Sequence, residues 1–191
     1  MKNEVVKALD LFIGRRSIRK FSSKPVEEVD VRTIIEAGQR APTACNLQTY
    51  SVVWVRDKKL KEKVLDACEV SGSIREAPIV LAICADIRRL SEVLNFLKHD
   101  HCFKHGRGNW LRLMSIMDTC FFAENMVMAA EFLGLGSVYI GSALANNEVI
   151  KALKLSSGVL PLTLLCVGYP DEQPAIKPRW ALNSVLHVDT Y

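Results

Sequence analysis

The stretch SIMDTCFFAENMVMAAEFLGLG is apolar on most of its helical faces from Ile116 to Leu133. A helix that is hydrophobic nearly all round has no face to give to water, so it must be covered on nearly every side. The chain must therefore wrap this helix in a core or present it to a second subunit, and Met126 and Met128 read as packing residues rather than as a cofactor box. No apolar run approaches the roughly 18 residues that a membrane-spanning helix requires. At 191 residues the chain can bury one substantial core, and a single domain over residues 1–191 is expected.

Shorter signals place elements around that helix. Val5, Val6, Leu9, Leu11 and Phe12 recur at helical spacing over residues 3–13, and Gly14 can end the helix. A second helix is predicted over 27–40 through Val29, Val31, Ile34, Ile35 and Ala37. YSVVWVR, rich in β-branched and aromatic residues, reads as a strand, with a charged helix near 57–70 after it. APIVLAICAD reads as a buried strand, and SVYIGS and PLTLLCVGYP as two more around a short helix near 146–154. Helices and strands interleave irregularly, which predicts an α+β fold with a mixed central sheet flanked by helices. The tail, about 171–191, has two early prolines, several apolar residues and a possible strand in SVLHVD. Such a tail is a candidate for wrapping a partner subunit.

Charge and composition exclude several classes. The net charge of +4 is mild and not gathered into a basic tract, which argues against nucleic acid as a partner. MKNEVVKALDLFIGRRS holds Glu4 and Asp10 inside its apolar stretch and lacks a small-residue cleavage site, so it is a poor secretory signal. The six cysteines are scattered without a C-x-x-C pair and read as reduced thiols. No membrane segment and a cytoplasmic location are expected. HDHCFKH gathers His99, His101, Cys102 and His105, but the spacing fits no standard zinc pattern, so no metal is predicted.

Four stretches carry candidate chemistry. In GRRSIRKF, extended backbone puts Arg15, Ser17 and Arg19 on one face and Arg16, Ile18 and Lys20 on the other. Two planar guanidinium forks and a hydroxyl suit phosphate oxygens; a solvated charged turn fits the stretch alone equally well. In APTACNLQTY, Asn46 and Gln48 each pair an amide donor with an acceptor, as reading the edge of a flat heterocycle demands, although alone the stretch also reads as a surface turn. GLGSVYIGS misses the G-x-G-x-x-G spacing and follows a helix, so it is not a dinucleotide-binding turn; Gly134 reads as a helix C-cap, and Gly141 can let a backbone amide approach a ligand. KPRW supplies Lys177 and Arg179, which would complete a dianion site if they met Arg15 and Arg19 in space.

Taken in order, these segments resemble the nitroreductase family of FMN-dependent oxidoreductases. RRSIRKF is similar to the family's R-R-S-x-R-x-F motif and APTACNLQTYSVVWV to A-P-S-x-x-N-x-Q-P-W-x-x-x-V. DTCFFAENMVMAAEFLGLGSVYIGS resembles D-x-x-x-x-A-x-N-x-x-L-A-A-x-x-L-G-L-G-x-x-W-I-G, and VGYPDEQPAIKPRW resembles G-Y-P followed by K-x-R. The motifs are collinear and cover nearly the whole chain, most weakly between about Asp57 and Met117. The resemblance implies a nitroreductase-like α+β sandwich, an intertwined homodimer with two non-covalent FMN sites at its interface. It implies that Arg15, Arg16, Ser17 and Arg19 lie along the FMN phosphate and ribityl chain and that Lys177 and Arg179 close over the phosphate. Asn46 and Gln48 are implied near the flavin, with the subunit that supplies Asn46 left open. Pro42 and Thr43 shape that wall, and Tyr139, Ile140, Gly141 and Ser142 lie beside the ring.

The implied activity is hydride transfer from NAD(P)H through flavin N5 to a small flat acceptor, nitroaromatic or quinone, by a ping-pong course with no catalytic side chain. Alternatives within the same resemblance are a flavin-storage protein, or a relative with another electron donor or with dehydrogenation, dehalogenation or flavin-oxygen chemistry. Several residues depart from the family pattern: Thr43 for serine, Thr49-Tyr50 for Pro-Trp, Trp180 after the K-x-R, and Cys45 beside Asn46. Thr43, Thr49 and Tyr50 imply a reshaped pocket wall, and Cys45, if it faces the ring, an altered potential or acceptor choice; the acceptor stays open, and so does the choice between NADH and NADPH for want of a separate dinucleotide domain.

Overall fold

The computed structural model describes residues 9–89 and 109–191. Its frame is a sheet of β1 (Tyr50–Trp54), β2 (Ile79–Asp86), β3 (Gly136–Ile140) and β4 (Val159–Gly168), in the order β1-β2-β4-β3. All of these strands pair antiparallel. Among the described residues, parallel pairing is confined to an isolated bridge between Ser17 and Ser137 outside the named strands, so the sheet is antiparallel where a mixed one was expected. Residues 9–14 are helical, and among the described residues four α-helices follow: α1 (Glu28–Gly38), α2 (Lys58–Ala67), α3 (Asn109–Phe132) and α4 (Asn147–Ala152).

Strand β2 is buried at every position, because helices cover both faces of the sheet. Val80, Ala82 and Cys84 point into one apolar cluster with Val64 and Leu65 of α2 and Val149 of α4. Leu81 and Ile83, one step out of phase, enter the other cluster with Ile34 of α1 and Phe122 and Met126 of α3. The period of two thus assigns each β2 side chain to a layer. Helix α2 starts where the Asp57 carboxylate accepts from the Leu60 amide at 2.7 Å.

Helix α3 is covered on one side only. Leu113, Met117, Phe121 and Phe132 are 56%, 46%, 46% and 62% exposed, so the chain by itself leaves an apolar face of its central helix open. Arg112–Phe132 is long and apolar enough to cross a bilayer, yet half of it is buried inside the fold, as suits a core helix. It ends as predicted at Gly134, whose φ of +71° is left-handed, with the Leu135 amide donating back to the Ala130 carbonyl at 2.9 Å.

The tail departs from expectation. SVLHVD forms no strand; the tail holds only a short 3-10 turn at Leu182–Ser184, and Leu182, Val185, Leu186 and Val188 are exposed. A strand needs a neighbour for its hydrogen bonds, and among the described residues these have no pairing partner.

Gly136 allows the N-terminal segment to lie against β3. A Cβ there would stand 2.5 Å from Ile18 Cγ1 and 2.8 Å from its Cβ, too close for a side chain fixed in the core. G136A is expected to lower the melting temperature by roughly 2–12 °C, from about 1–3 kcal/mol of overpacking at roughly 2–4 °C per kcal/mol. A melt by circular dichroism that matches the parent would show that Ile18 yields freely.

Candidate functional site

The segment after the first helical turns runs beside β3. The Ile18 amide donates to the Ser137 carbonyl at 2.9 Å, while Ile18 and Phe21 are buried, so the basic residues between them are held at the sheet edge. The chain leaving β4 then folds back along this segment. Phe21 bridges Pro170, the Asp171 amide donates to the Lys20 carbonyl at 2.9 Å, and Lys20 pairs with the Asp171 carboxylate at 2.7 Å. Glu172 adds a further tie, its carboxylate accepting from the backbone amides of Arg19 and Lys20. The tail is thereby turned so that Lys177 and Arg179 face Arg15 and Arg19.

The result is a cleft of about 310 Å³ lined by Arg15, Arg16, Ser17, Arg19, Lys177 and Arg179 together with Phe12, Ile13 and residues 174–176. Predicted from two distant stretches, the six polar residues meet. Arg16, on the opposite face if the segment is strictly extended, reaches the cleft as well, and its guanidinium donates through Nη1 to the carbonyls of Ile13, Gly14 and Arg15. Its Nε is buried without a partner. Arg19 and Arg179 donate only to nearby carbonyls at 3.2–3.4 Å, and among the described residues no carboxylate forms an ion pair with any of the five cations. Crowded cations, a hydroxyl and an orphaned N–H fit a phosphate group.

A second group lies outside this lining. Residues 43–49 form a turn in which Leu47 and Thr49 are buried while Cys45, Asn46 and Gln48 are exposed. All three exposed residues have left-handed backbone, with φ of 50°, 56° and 52°. Such a conformation costs a residue with a side chain on the order of 1 kcal/mol or more, so something must hold it. Inside the turn, Thr43 Oγ1 accepts from the Gln48 amide at 3.3 Å, and Gln48 Nε2 donates to the Asn46 carbonyl at 3.2 Å. Pro42 precedes the turn and is exposed.

Helix α3 supplies the holding contacts, through polar residues to which the sequence reading gave no role. Asp118, 3% exposed, accepts from the Ala44 amide at 3.0 Å and from the Thr49 hydroxyl at 3.3 Å. Ser115 donates to the Thr49 carbonyl at 2.9 Å, and the Thr119 hydroxyl, which donates to the Ser115 carbonyl at 2.7 Å, stands 3.3 Å from the same Thr49 oxygen. Burial pushes the Asp118 carboxyl above its ordinary pKa, and the bonds from Ala44 and Thr49 act to lower it. Two of the departures from the family pattern are therefore core substitutions: Thr49 bonds to Asp118, and Tyr50, 5% exposed, stacks on Phe122 at 4.1 Å. The expectation that they reshape the pocket wall gives way to packing beneath it. Asp118 stood in the sequence as the first residue of the helix motif, and a carboxylate inside an otherwise apolar helix was the available signal.

The third group is the end of β3. Tyr139 is partly exposed, and Ile140, at the strand end, is buried. Burial and then Glu124 and Cys120 raise the Tyr139 phenol, with Arg15 acting to lower it. An added Cβ at Gly141 meets no atom within 4 Å, so this end of the strand is open. The Ser142 hydroxyl is engaged in the fold, donating to the Cys68 carbonyl at 2.7 Å. The histidines at 99, 101 and 105 lie outside the described residues, and among those described no group of His, Cys, Asp or Glu is arranged to hold a metal.

An α+β sandwich whose sheet edge carries a cleft lined by five cations is a frame suited to a phosphorylated cofactor. The chain belongs to the nitroreductase family, whose model matches residues 13–169. It is 37% identical to the FMN reductase (NAD(P)H) of Bacillus subtilis over 99% of its own length and 75% of that protein's. It is 33% identical to the oxygen-insensitive NADPH nitroreductase of Salmonella typhimurium, over 96% and 74% of the two lengths. Among solved structures, the NADPH:FMN oxidoreductase from Vibrio harveyi complexed with NAD+ superposes with a TM-score of 0.84 at 31% identity, over 96% of this chain and 76% of that one.

Proposed function

We propose that the chain is an NAD(P)H-dependent flavin oxidoreductase that binds FMN non-covalently and works in the cytoplasm as a homodimer on small flat acceptors of nitroaromatic or quinone type. The observation that carries this reading is the convergence of Arg15, Arg16, Ser17 and Arg19 with Lys177 and Arg179 on one cleft, with Arg16 Nε buried and unpartnered. Cations brought this close repel one another until a dianion joins them. The relatives named as FMN reductase and NADPH nitroreductase support the same cofactors.

When bound, FMN supplies the hydride chemistry between nicotinamide and acceptor. The chain's part is to bind, orient and shield. Arg15, Arg16, Ser17 and Arg19 are assigned to the phosphate and ribityl chain, and Lys177 and Arg179 to the cover. Asn46 and Gln48, with donor and acceptor on each amide, are assigned to the flavin edge, and Pro42 and Thr43 to its wall. The backbone of Tyr139, Ile140, Gly141 and Ser142 is assigned to the ring's side, where fixed N–H groups favour negative charge. The open face of α3 and the exposed apolar tail support a second subunit, which would bring its own 42–48 turn to the site.

The test is optical. Purified protein loaded with FMN is expected to lose its absorbance near ~450 nm when NADPH or NADH is added without oxygen, and to regain it on addition of a quinone or nitroaromatic. A yellow protein that neither nicotinamide bleaches would favour a carrier or another electron donor, and failure to take up FMN would remove the proposal.

A further inference from the structure

The turn that presents Asn46 and Gln48 is held from below as well as by bonds of its own. Three of its exposed residues sit in left-handed backbone without being glycine, and free in solution a chain of these residues would leave that conformation. Its two ends are both tied to one side chain. Asp118 Oδ1 takes the Ala44 amide at the start of the turn and Oδ2 takes the Thr49 hydroxyl at its end. Ser115, on the same side of α3, fixes the Thr49 carbonyl, which also accepts from the Asp86 amide of β2 at 2.9 Å. Asp118 is one of few buried polar groups in α3, and both of its oxygens are spent on the turn.

We propose that Asp118 is a positioning residue of the flavin site: by clamping Ala44 and Thr49 it holds the turn between them in the conformation that offers Asn46 and Gln48 to the cofactor. This rests on the assignment of those two amides to FMN. The clamp itself does not, since its contacts are made within the chain.

The experiment therefore has two arms. In flavin-free protein, hydrogen exchange read by mass spectrometry on a peptide spanning 43–49 reports the clamp. D118A is expected to speed exchange there by roughly tenfold or more, because the Ala44 amide loses its acceptor. D118N keeps one acceptor oxygen for Ala44 and is expected to restore protection to within about threefold of the parent. In the second arm, FMN is titrated by fluorescence quenching. D118A is expected to bind roughly tenfold more weakly, with an altered flavin absorption band, and D118N to recover most of the affinity.

Unchanged exchange over 43–49 in D118A overturns the proposal whatever happens to flavin. Faster exchange with unaltered affinity and spectrum also overturns it, because the turn would then be dispensable to the site. If D118A does not fold, T49V decides: it keeps the carboxylate and the Ala44 bond but removes one tie. It is expected to speed exchange and weaken FMN by about threefold, and parental behaviour in both would overturn the clamp. If the parent protein itself takes up no FMN, the functional assignment falls, and the exchange arm still judges the clamp.

Discussion

Replacing Arg19 and Lys177 together by alanine is expected to weaken FMN binding by roughly 100-fold or more while riboflavin binding stays within about threefold. Each charged hydrogen bond to a phosphate is worth about 1.5–3 kcal/mol, so two removed contacts correspond to roughly 10²–10⁴-fold in affinity. The contrast between the two flavins is the decisive part. Riboflavin lacks only the phosphate, so a variant that merely disturbs the fold loses both ligands, whereas one that empties the anion cleft loses only the preference. The side chains chosen come from the two distant stretches that meet in the cleft, and neither is buried in the core. The parent's FMN affinity should also fall with added salt more steeply than that of the variant, because partly exposed ion contacts are screened. A variant that melts as the parent does and keeps the parent's preference for FMN over riboflavin would move the phosphate away from this cleft.

Much of this frame was legible in the sequence because its signals are local. Val80, Ala82 and Cys84 alternate with Leu81 and Ile83 in an unbroken apolar run, which only a strand covered on both faces can satisfy. Gly134 marked the end of α3 because the left-handed residue after a helix is most cheaply glycine. The meeting of Arg15 and Arg19 with Lys177 and Arg179 was legible only as a conditional, since nothing local brings residue 19 to residue 177. That is done by Asp171 and Glu172, which fold the tail back along the segment.

What the sequence concealed is long-range or depends on a partner. Asp118 lies 69 positions from Thr49, and no periodicity connects a buried carboxylate to the turn it clamps. SVLHVD has the composition of a strand, but composition cannot supply the neighbouring edge that a strand requires. Thr49 and Tyr50 looked like wall residues by analogy with the family pattern, while their burial beneath the turn depends on Asp118 and Phe122.

The apolar face of α3 gives the second large effect. Leu113, Met117 and Phe121 follow one another at intervals of four and stand exposed in the single chain, so they form one stripe along the helix. In a symmetric dimer a patch meets its own copy or a neighbouring patch of the same surface, and each substitution acts twice. Burying a Met or Phe side chain contributes about 1.5–3 kcal/mol, so removing two in each protomer forfeits roughly 6–12 kcal/mol before the cost of burying new charge. The parent is therefore expected to run as a dimer in light scattering and the double variant M117E/F121E as a monomer at the same concentration. Its helix content should be retained, because both positions are half open within their own chain. If the partner's turn completes the cofactor site, this monomer also loses FMN affinity, although every residue of the phosphate cleft is untouched. A variant that remains dimeric would show that α3 keeps its open face to water and that the second subunit docks elsewhere. A monomer that binds FMN as the parent does would instead separate the two properties, and would assign Asn46 and Gln48 to the flavin of their own chain.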